Sequence, residues 1–344
     1  MLNAPNKIFL NKKSSIFVLA PAYFKTGGTE LLHQYVYVLK QNGFDAKITY
    51  VGSTTEKNIN EAFLAYVDNY STIKDIIDSE ENVLVVPEIY TGYLRNFKHI
   101  KKIIWWESVD NYLLQVSALF CIKKKCYGNA IRVFLKKITG KNGHLSIRML
   151  RGIEYHFVQS FYAYNFLKKK NIRSNVFYVS DYINNIYLNH QINYQDRDNI
   201  VLYNPKKGFN FTRKIMKSDF EHRYVPLVNL SNQDTFELLK RAKVYIDFGN
   251  HPGKDRFPRE AAICGCCVIV GLNGSAKYEQ DLPIPSKYKF NCKKRNIRRI
   301  IKKINFCLTN YEDAVLDFEN YRDFILSEKE NFEKNVLECF NWEE

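Results

Sequence analysis

After Ser15 the run 15–20 (SIFVLA) is unbroken apolar from Ile16 to Ala20, stops at Pro21, and resumes after Gly27 and Gly28 as Leu31, Leu32, Tyr35, Val36, Val38 and Leu39. The first run is short and continuous and the second set repeats at helical spacing, so strand, loop and helix are predicted in that order. Asn42 and Gly43 supply a C-terminal cap and residues 46–51 a second strand, which completes a βαβ unit. Further short apolar runs at 83–86, 103–106 and 155–159 alternate with helical or polar stretches, the rhythm of an open parallel sheet flanked by helices.

The rhythm restarts near Asn199. Strands are predicted at 200–203, 224–228, 244–248 and 267–270, with helices at 235–241 and 258–264 between them. The polar stretch 189–198 (NHQINYQDRD) is the natural linker. A chain of 344 residues exceeds what one core usually organises. The expectation is therefore an α/β chain of two domains, each an open parallel sheet flanked by helices, 1–188 and 199–311, with 312–344 as C-terminal helices packing back on the first.

Charge changes this picture more than composition does. Hydrophobic residues at 46% and aromatics at 15% are enough for large cores and exclude a disordered chain, while a net charge of +15 calls for an anionic partner. No acid stands between Asp110 and Glu154, where nine Lys and Arg occur, and Ile131, Phe134, Leu135 and Ile138 repeat there at helical spacing. A basic amphipathic helix follows, either a solvated face or one that rests on an acceptor or a membrane surface within 121–151. Acids are missing again over 282–311, whereas the tail from Glu312 carries eleven, a composition suited to lying on a basic surface of the same chain. The eight cysteines form no CxxC pair, and Cys264, Cys266 and Cys267 sit in an apolar stretch, which makes them buried core residues. The longest nearly apolar run, 261–272, is far short of the ~20 residues a spanning helix needs. Nothing at the N-terminus reads as an export signal, so a cytoplasmic chain is expected, peripheral on the inner face of the cytoplasmic membrane where the basic segment rests on it.

Chemistry concentrates at 244–275 (VYIDFGNHPGKDRFPREAAICGCCVIVGLNGS). A strand is predicted to end at Gly249 and a helix to begin at Pro258, a residue favoured at the first helical position. The loop between brings His251, Lys254, Asp255 and Arg256 to the C-terminal edge of the sheet, where open α/β folds bind ligands. A helix N-terminus beside Lys254, Arg256 and Arg259 suits a diphosphate, and the carboxylate of Glu260 suits the hydroxyls of a ribose. Asp247 and His251 read as structural. Trp105, Trp106 and Glu107 suit stacking on sugar rings, although core packing is the simpler assignment for the two indoles.

These residues carry a resemblance. Glu260, Ala261, Ala262 and Gly265, the strand 268–270, and Gly274 with Ser275 resemble the donor half of GT-B glycosyltransferases, in particular the large retaining class with an E-x7-E signature followed by a glycine pair. Gly27, Gly28, Thr29 and Glu30 are similar to that class's Gly-Gly-x-Glu loop, and Lys207, after Asn204 and Lys206, stands where its members keep a basic residue for the donor diphosphate. Pro252 replaces the first glutamate of the signature, which leaves Lys254 or Asp255 to take over part of the sugar contact.

The resemblance implies two facing Rossmann-like domains with catalysis in the cleft, a nucleotide-sugar donor held by the second and a glycan or lipid-linked acceptor by the first. The expected activity is that of a metal-independent hexosyltransferase of a bacterial surface glycan, retaining rather than inverting, with a UDP-sugar as substrate and no resident cofactor. Lys207, Lys254, Arg256 and Glu30 are the expected catalytic residues. Gly27, Gly28, Asn204, Lys206, Asp255, Arg259, Glu260, Gly274 and Ser275 are the expected donor-binding set. Glu88 and Glu107, with Glu30, are the candidates for a base should the reaction invert. The competing readings are a basic nucleic-acid-binding protein, for which no helix-turn-helix, RNP or zinc signature occurs, and a non-catalytic transferase-like partner.

Overall fold

Eight strands open the chain: β1 (Ile8–Leu10), β2 (Ser15–Pro21), β3 (Asp45–Val51), β4 (Tyr70–Thr72), β5 (Val83–Pro87), β6 (Lys101–Trp106), β7 (Tyr155–Val158) and β8 (Asn175–Tyr178). Seven of them form one sheet in the order β4-β3-β2-β5-β6-β7-β8, with every neighbour parallel. In β2 the five residues from Ile16 to Ala20 are all buried, which an all-parallel sheet covered on both faces requires. The helices are α1 (Gly27–Gln41), α2 (Val109–Val116), α3 (Ala118–Lys123), α4 (Tyr127–Ile138), α5 (Ile147–Leu150) and α6 (Phe161–Lys169). Thr26 caps α1 by accepting from the Thr29 N–H, and Thr29 returns the bond, so the predicted loop-to-helix junction is closed on both sides. The structure is a computed structural model that describes residues 5–52, 60–67, 70–140 and 143–342.

The second half supplies β9 (Asp198–Tyr203), β10 (Arg223–Pro226), β11 (Ala242–Asp247), β12 (Cys267–Gly271) and β13 (Lys289–Phe290), a parallel sheet in the order β10-β9-β11-β12-β13. Its helices are α7 (Phe209–Met216), α8 (Asn232–Arg241), α9 (Arg256–Ile263), α10 (Ile297–Thr309), α11 (Tyr311–Leu316) and α12 (Glu319–Leu326), followed by α13 (Glu328–Glu338) and β14 (Phe340–Trp342). Cys264, Cys266 and Cys267 are wholly buried free thiols in its core.

The chain divides into two units, Met1–Asp181 with Glu330–Glu344, and Tyr182–Lys329. These bounds differ from those read off the sequence, for physical reasons. Ile183 and Tyr187 already belong to the core of the second unit. The polar stretch 189–198 is anchored by the buried Arg197, whose guanidinium donates to the carbonyls of Asn193 and Ala242, each at 2.7 Å. At the other end, Tyr311, Ala314, Val315, Phe318, Tyr321 and Ile325 are buried in that same core, so α11 and α12 complete the second unit. The segment 312–344 is therefore shared between the units. Its last strand, β14, pairs with β1 in the first unit.

Candidate functional site

Three loops of the second unit meet at the C-terminal ends of β9, β11 and β12. Their backbones approach too closely for side chains: a Cβ on Gly208 (φ +65°) would lie 2.4 Å from the Phe248 carbonyl oxygen, and one on Gly274 (φ +53°) 1.8 Å from that of His251. The Ser275 amide donates to the His251 carbonyl at 2.9 Å and its hydroxyl to that of Gly253 at 2.6 Å. Asn273 donates to the Gly249 carbonyl at 3.1 Å. Gly274 and Ser275 thus clamp the loop between β11 and α9, a structural job that their spacing alone did not reveal.

Asp247, His251 and Asp255 recur every four residues and converge inside that loop. The Asp247 carboxylate is buried and accepts from the Gly249 amide at 2.8 Å and the Tyr245 hydroxyl at 3.2 Å. His251 lies between the two acids, its Nδ1 at 2.9 Å from Asp255 Oδ2 and its Nε2 at 3.8 Å from Asp247 Oδ1. Lys207, from the loop after β9, closes the chain with its Nζ at 2.7 Å from Asp255 Oδ1. Burial works against a charged imidazole at His251, but Asp247 and the hydrogen bond with Asp255 outweigh it and raise its pKa. Burial also raises Asp247, whereas at Asp255 the penalty of burial is overcome by His251 and Lys207, which hold the carboxyl below its ordinary range. Among the described residues, Asp247, His251 and Asp255 are the group whose metal-type ligand atoms lie within 4.8 Å of one another. Their spacing could admit a divalent cation, but Lys207 and the raised pKa of His251 already place positive charge beside the two acids. Asp247 and His251, structural residues on the sequence pattern alone, join Asp255 through an i, i+4, i+8 spacing that is the sequence signal of this cluster.

Asp255 is the N-cap of α9, yet its side chain makes no capping bond to the helix. The carboxylate is turned toward Lys207 and His251 instead, so the first N–H groups of α9 are not satisfied by their own cap. The helix begins at Arg256, two residues before the predicted start, with Pro258 third. Proline is tolerated there because the N–H groups of the whole first turn lack intrahelical acceptors.

The remaining candidates separate into two groups. Lys207 and Arg256 are half-buried at the loop rim, Lys206 is exposed, and Asn204 is buried with its side chain accepting from the Lys206 amide at 3.0 Å. Glu260 is buried in the second turn of α9. Lys254 and Arg259, by contrast, turn inward. Lys254 Nζ is 2.7 Å from Glu328 Oε1, Arg259 Nη1 is 2.8 Å from Glu328 Oε2, and Arg259 has no exposed surface. The expectation that these two cations face a diphosphate is corrected by that geometry: Glu328 draws both into the interior, where they lock α9 to the start of α13. Nothing in the local sequence marked Glu328; its only trace was the acidic tail.

In the first unit, Gly27 and Gly28 open α1. A Cβ on Gly28 would lie 2.0 Å from Glu107 Oε2, so the Glu107 carboxylate rests against the positive end of that helix. Glu30 accepts from the Tyr66 hydroxyl at 3.1 Å. Glu88 is buried just after β5, its carboxylate accepts from the Glu107 amide at 3.0 Å, and burial raises its pKa to about 7. Trp105 and Trp106 are wholly buried, donating to the Val179 carbonyl and to His156 Nδ1, and so belong to the core.

No protein-family model matches this sequence, and no curated protein does. Solved structures do. The lipopolysaccharide outer core galactosyltransferase WaaB aligns with a TM-score of 0.57 at 10% identity over 94% of this chain and 99% of its own. Alr3699/HepE of Anabaena, solved with UDP-glucose, aligns with a TM-score of 0.57 at 10% identity over 94% and 98%. TarM of S. aureus aligns with a TM-score of 0.52 at 15% identity over 78% of this chain and 56% of its own, so the chain matches little more than half of TarM's length. At such identities the likeness speaks to the fold, which is the GT-B fold with its two Rossmann-like domains.

Proposed function

We propose that the chain is a glycosyltransferase that moves a sugar from a nucleoside diphosphate sugar to a surface glycan or lipid-linked acceptor. One observation carries the reading. At the C-terminal edge of the second sheet, Lys207 is aimed by Asp255 beside a helix N-terminus whose cap residue has been diverted. A fixed ammonium at a helix N-terminus suits the negative charge that develops on a departing diphosphate.

In this scheme Lys207 and Arg256 take the diphosphate, with the N-terminal turn of α9. Glu260, one turn further in, takes the ribose hydroxyls, and Asn204 and Lys206 complete the wall on the β9 side. Gly274 and Ser275 hold the loop to shape. A UDP-sugar is the donor we favour, a choice supported by HepE, which was solved with UDP-glucose, and by TarM, solved with UDP. The acceptor is assigned to the first unit, where Gly27, Gly28 and Glu30 open α1. We favour retention, in which the leaving phosphate takes the acceptor's proton; inversion would require Glu30, Glu88 or Glu107 as base.

The test is a thermal-shift panel of nucleotides and nucleotide sugars on the full chain, followed by assay of nucleoside diphosphate release. A true donor at 100 times its Kd should stabilise the protein by about 2.7 kcal/mol. Failure of every nucleoside diphosphate and monophosphate, free or sugar-linked, to shift the melting curve would remove the reading.

A further inference from the structure

The hairpin of α3 and α4 buries little and exposes much. Its interior consists of Cys121, Ala130 and Val133, with Leu114, Ala118 and Cys126 packed around them. Facing solvent are seven large apolar side chains: Leu119 (81% exposed), Ile122, Tyr127, Ile131 (63%), Phe134, Leu135 and Ile138 (67%). The five in α4 recur at i, i+4, i+7, i+8 and i+11, a continuous stripe along one helix face. The hairpin therefore carries a second apolar face larger than the one it packs with, and a stripe of this size marks a contact surface.

Charge selects the partner. Lys123, Lys125, Arg132 and Lys137 are exposed around the stripe, and no acid occurs from Asn111 to Ile153. Lys124 is the exception to the outward set, its Nζ lying 3.1 Å from Asp110 Oδ2, a bond that ties the turn between α3 and α4 back to α2. A second copy of the same face would bring like charges together. An acyl boundary under anionic head groups satisfies both features at once, because apolar side chains enter the hydrocarbon while cations stay among the phosphates. Among the described residues no helix is long and apolar enough to cross a membrane, so a helix lying in the interface is the geometry that fits.

We propose that the α3–α4 hairpin is a monotopic membrane anchor that inserts the stripe Leu119, Ile131, Phe134, Leu135 and Ile138 into the surface of an anionic phospholipid bilayer. The proposal stands on the first unit alone and is independent of the glycosyl-transfer reading. It is tested by sedimenting the full chain with phosphatidylcholine vesicles and with vesicles holding 30% phosphatidylglycerol. Binding should be confined to the anionic vesicles and fall as salt rises. Arg132→Glu with Lys137→Glu should weaken it roughly tenfold or more. Ile131→Ser with Phe134→Ser and Ile138→Ser should weaken it on the order of a hundredfold, with the circular dichroism and melting temperature of the free protein unchanged because all three side chains are exposed. Phe134→Trp should give a blue-shifted emission on anionic vesicles that brominated lipid quenches. The proposal fails if anionic vesicles do not bind the protein, if the triple serine variant binds as well as the parent, or if Phe134→Trp emission does not move. It fails equally if size exclusion shows a dimer that the serine variant disperses, since the stripe would then be covered by a second copy.

Discussion

Replacing Glu328 with Gln removes a carboxylate that Lys254 and Arg259 share. All three side chains are almost wholly buried, the two ion pairs span 2.7 and 2.8 Å, and Phe324 lies under Lys254 at 4.8 Å from the ring centroid. Gln keeps the shape and loses the charge, so two buried cations lose the counter-charge they share. Removing one partner of a buried ion pair typically costs 3–5 kcal/mol. With melting temperatures moving by roughly 2–4 °C per kcal/mol in units of this size, the transition should fall by about 10 °C. Thermal melting at pH 7 followed by far-ultraviolet circular dichroism reads this directly. A control separates charge from packing: Lys254→Met, Arg259→Met and Glu328→Leu together should recover most of the loss, because an apolar substitute for a buried ion triad is often neutral or better. A loss below about 1 kcal/mol in Glu328→Gln would refute the claim that this carboxylate locks α9 in place.

Gly274 in the second unit and Glu88 in the first give two further tests. Gly274→Ala places a methyl 1.8 Å from the His251 carbonyl oxygen at a φ of +53°, so both sterics and backbone strain oppose it; a loss of roughly 2 kcal/mol or more is expected in urea denaturation, and a neutral effect would contradict the clamp. Glu88, raised from 4.5 to about 7 by burial, should make wild-type stability decline with pH. Below 4.5 both states are protonated, between 4.5 and 7 the unfolded chain ionises first, and above 7 the folded protein must carry the buried charge as well. The drop is on the order of 3 kcal/mol, and Glu88→Gln should flatten it; an unchanged pH profile in that variant would overturn the assignment.

The sheets were legible in the sequence because parallel strands buried on both faces read as unbroken apolar runs. Residues 15–20, 83–86, 200–203, 244–248 and 267–270 announced β2, β5, β9, β11 and β12 in this way. Helix ends were less legible: Pro258 suggested a start that the structure places at Arg256, since a proline fits anywhere in a first turn. The charges of the loop were visible but their directions were not. Lys207, Lys254, Arg256 and Arg259 look alike as letters, and a single distant residue, Glu328, decides that two of them turn inward. Long-range pairing of this kind leaves no periodicity behind. The exposed stripe on α4 was visible as an amphipathic pattern, but only its exposure distinguishes it from a helix face buried in its own domain.

Whether Lys207 and the start of α9 receive a diphosphate is decided by titration calorimetry of UDP and of uridine into the wild-type protein and into Lys207→Ala. Wild type should bind UDP, Lys207→Ala should bind it roughly ten- to a hundredfold more weakly, as for a hydrogen bond to a charged group, and any affinity for uridine should be the same in both. Equal UDP affinity in the two proteins, or no nucleotide binding by wild type, would contradict that role.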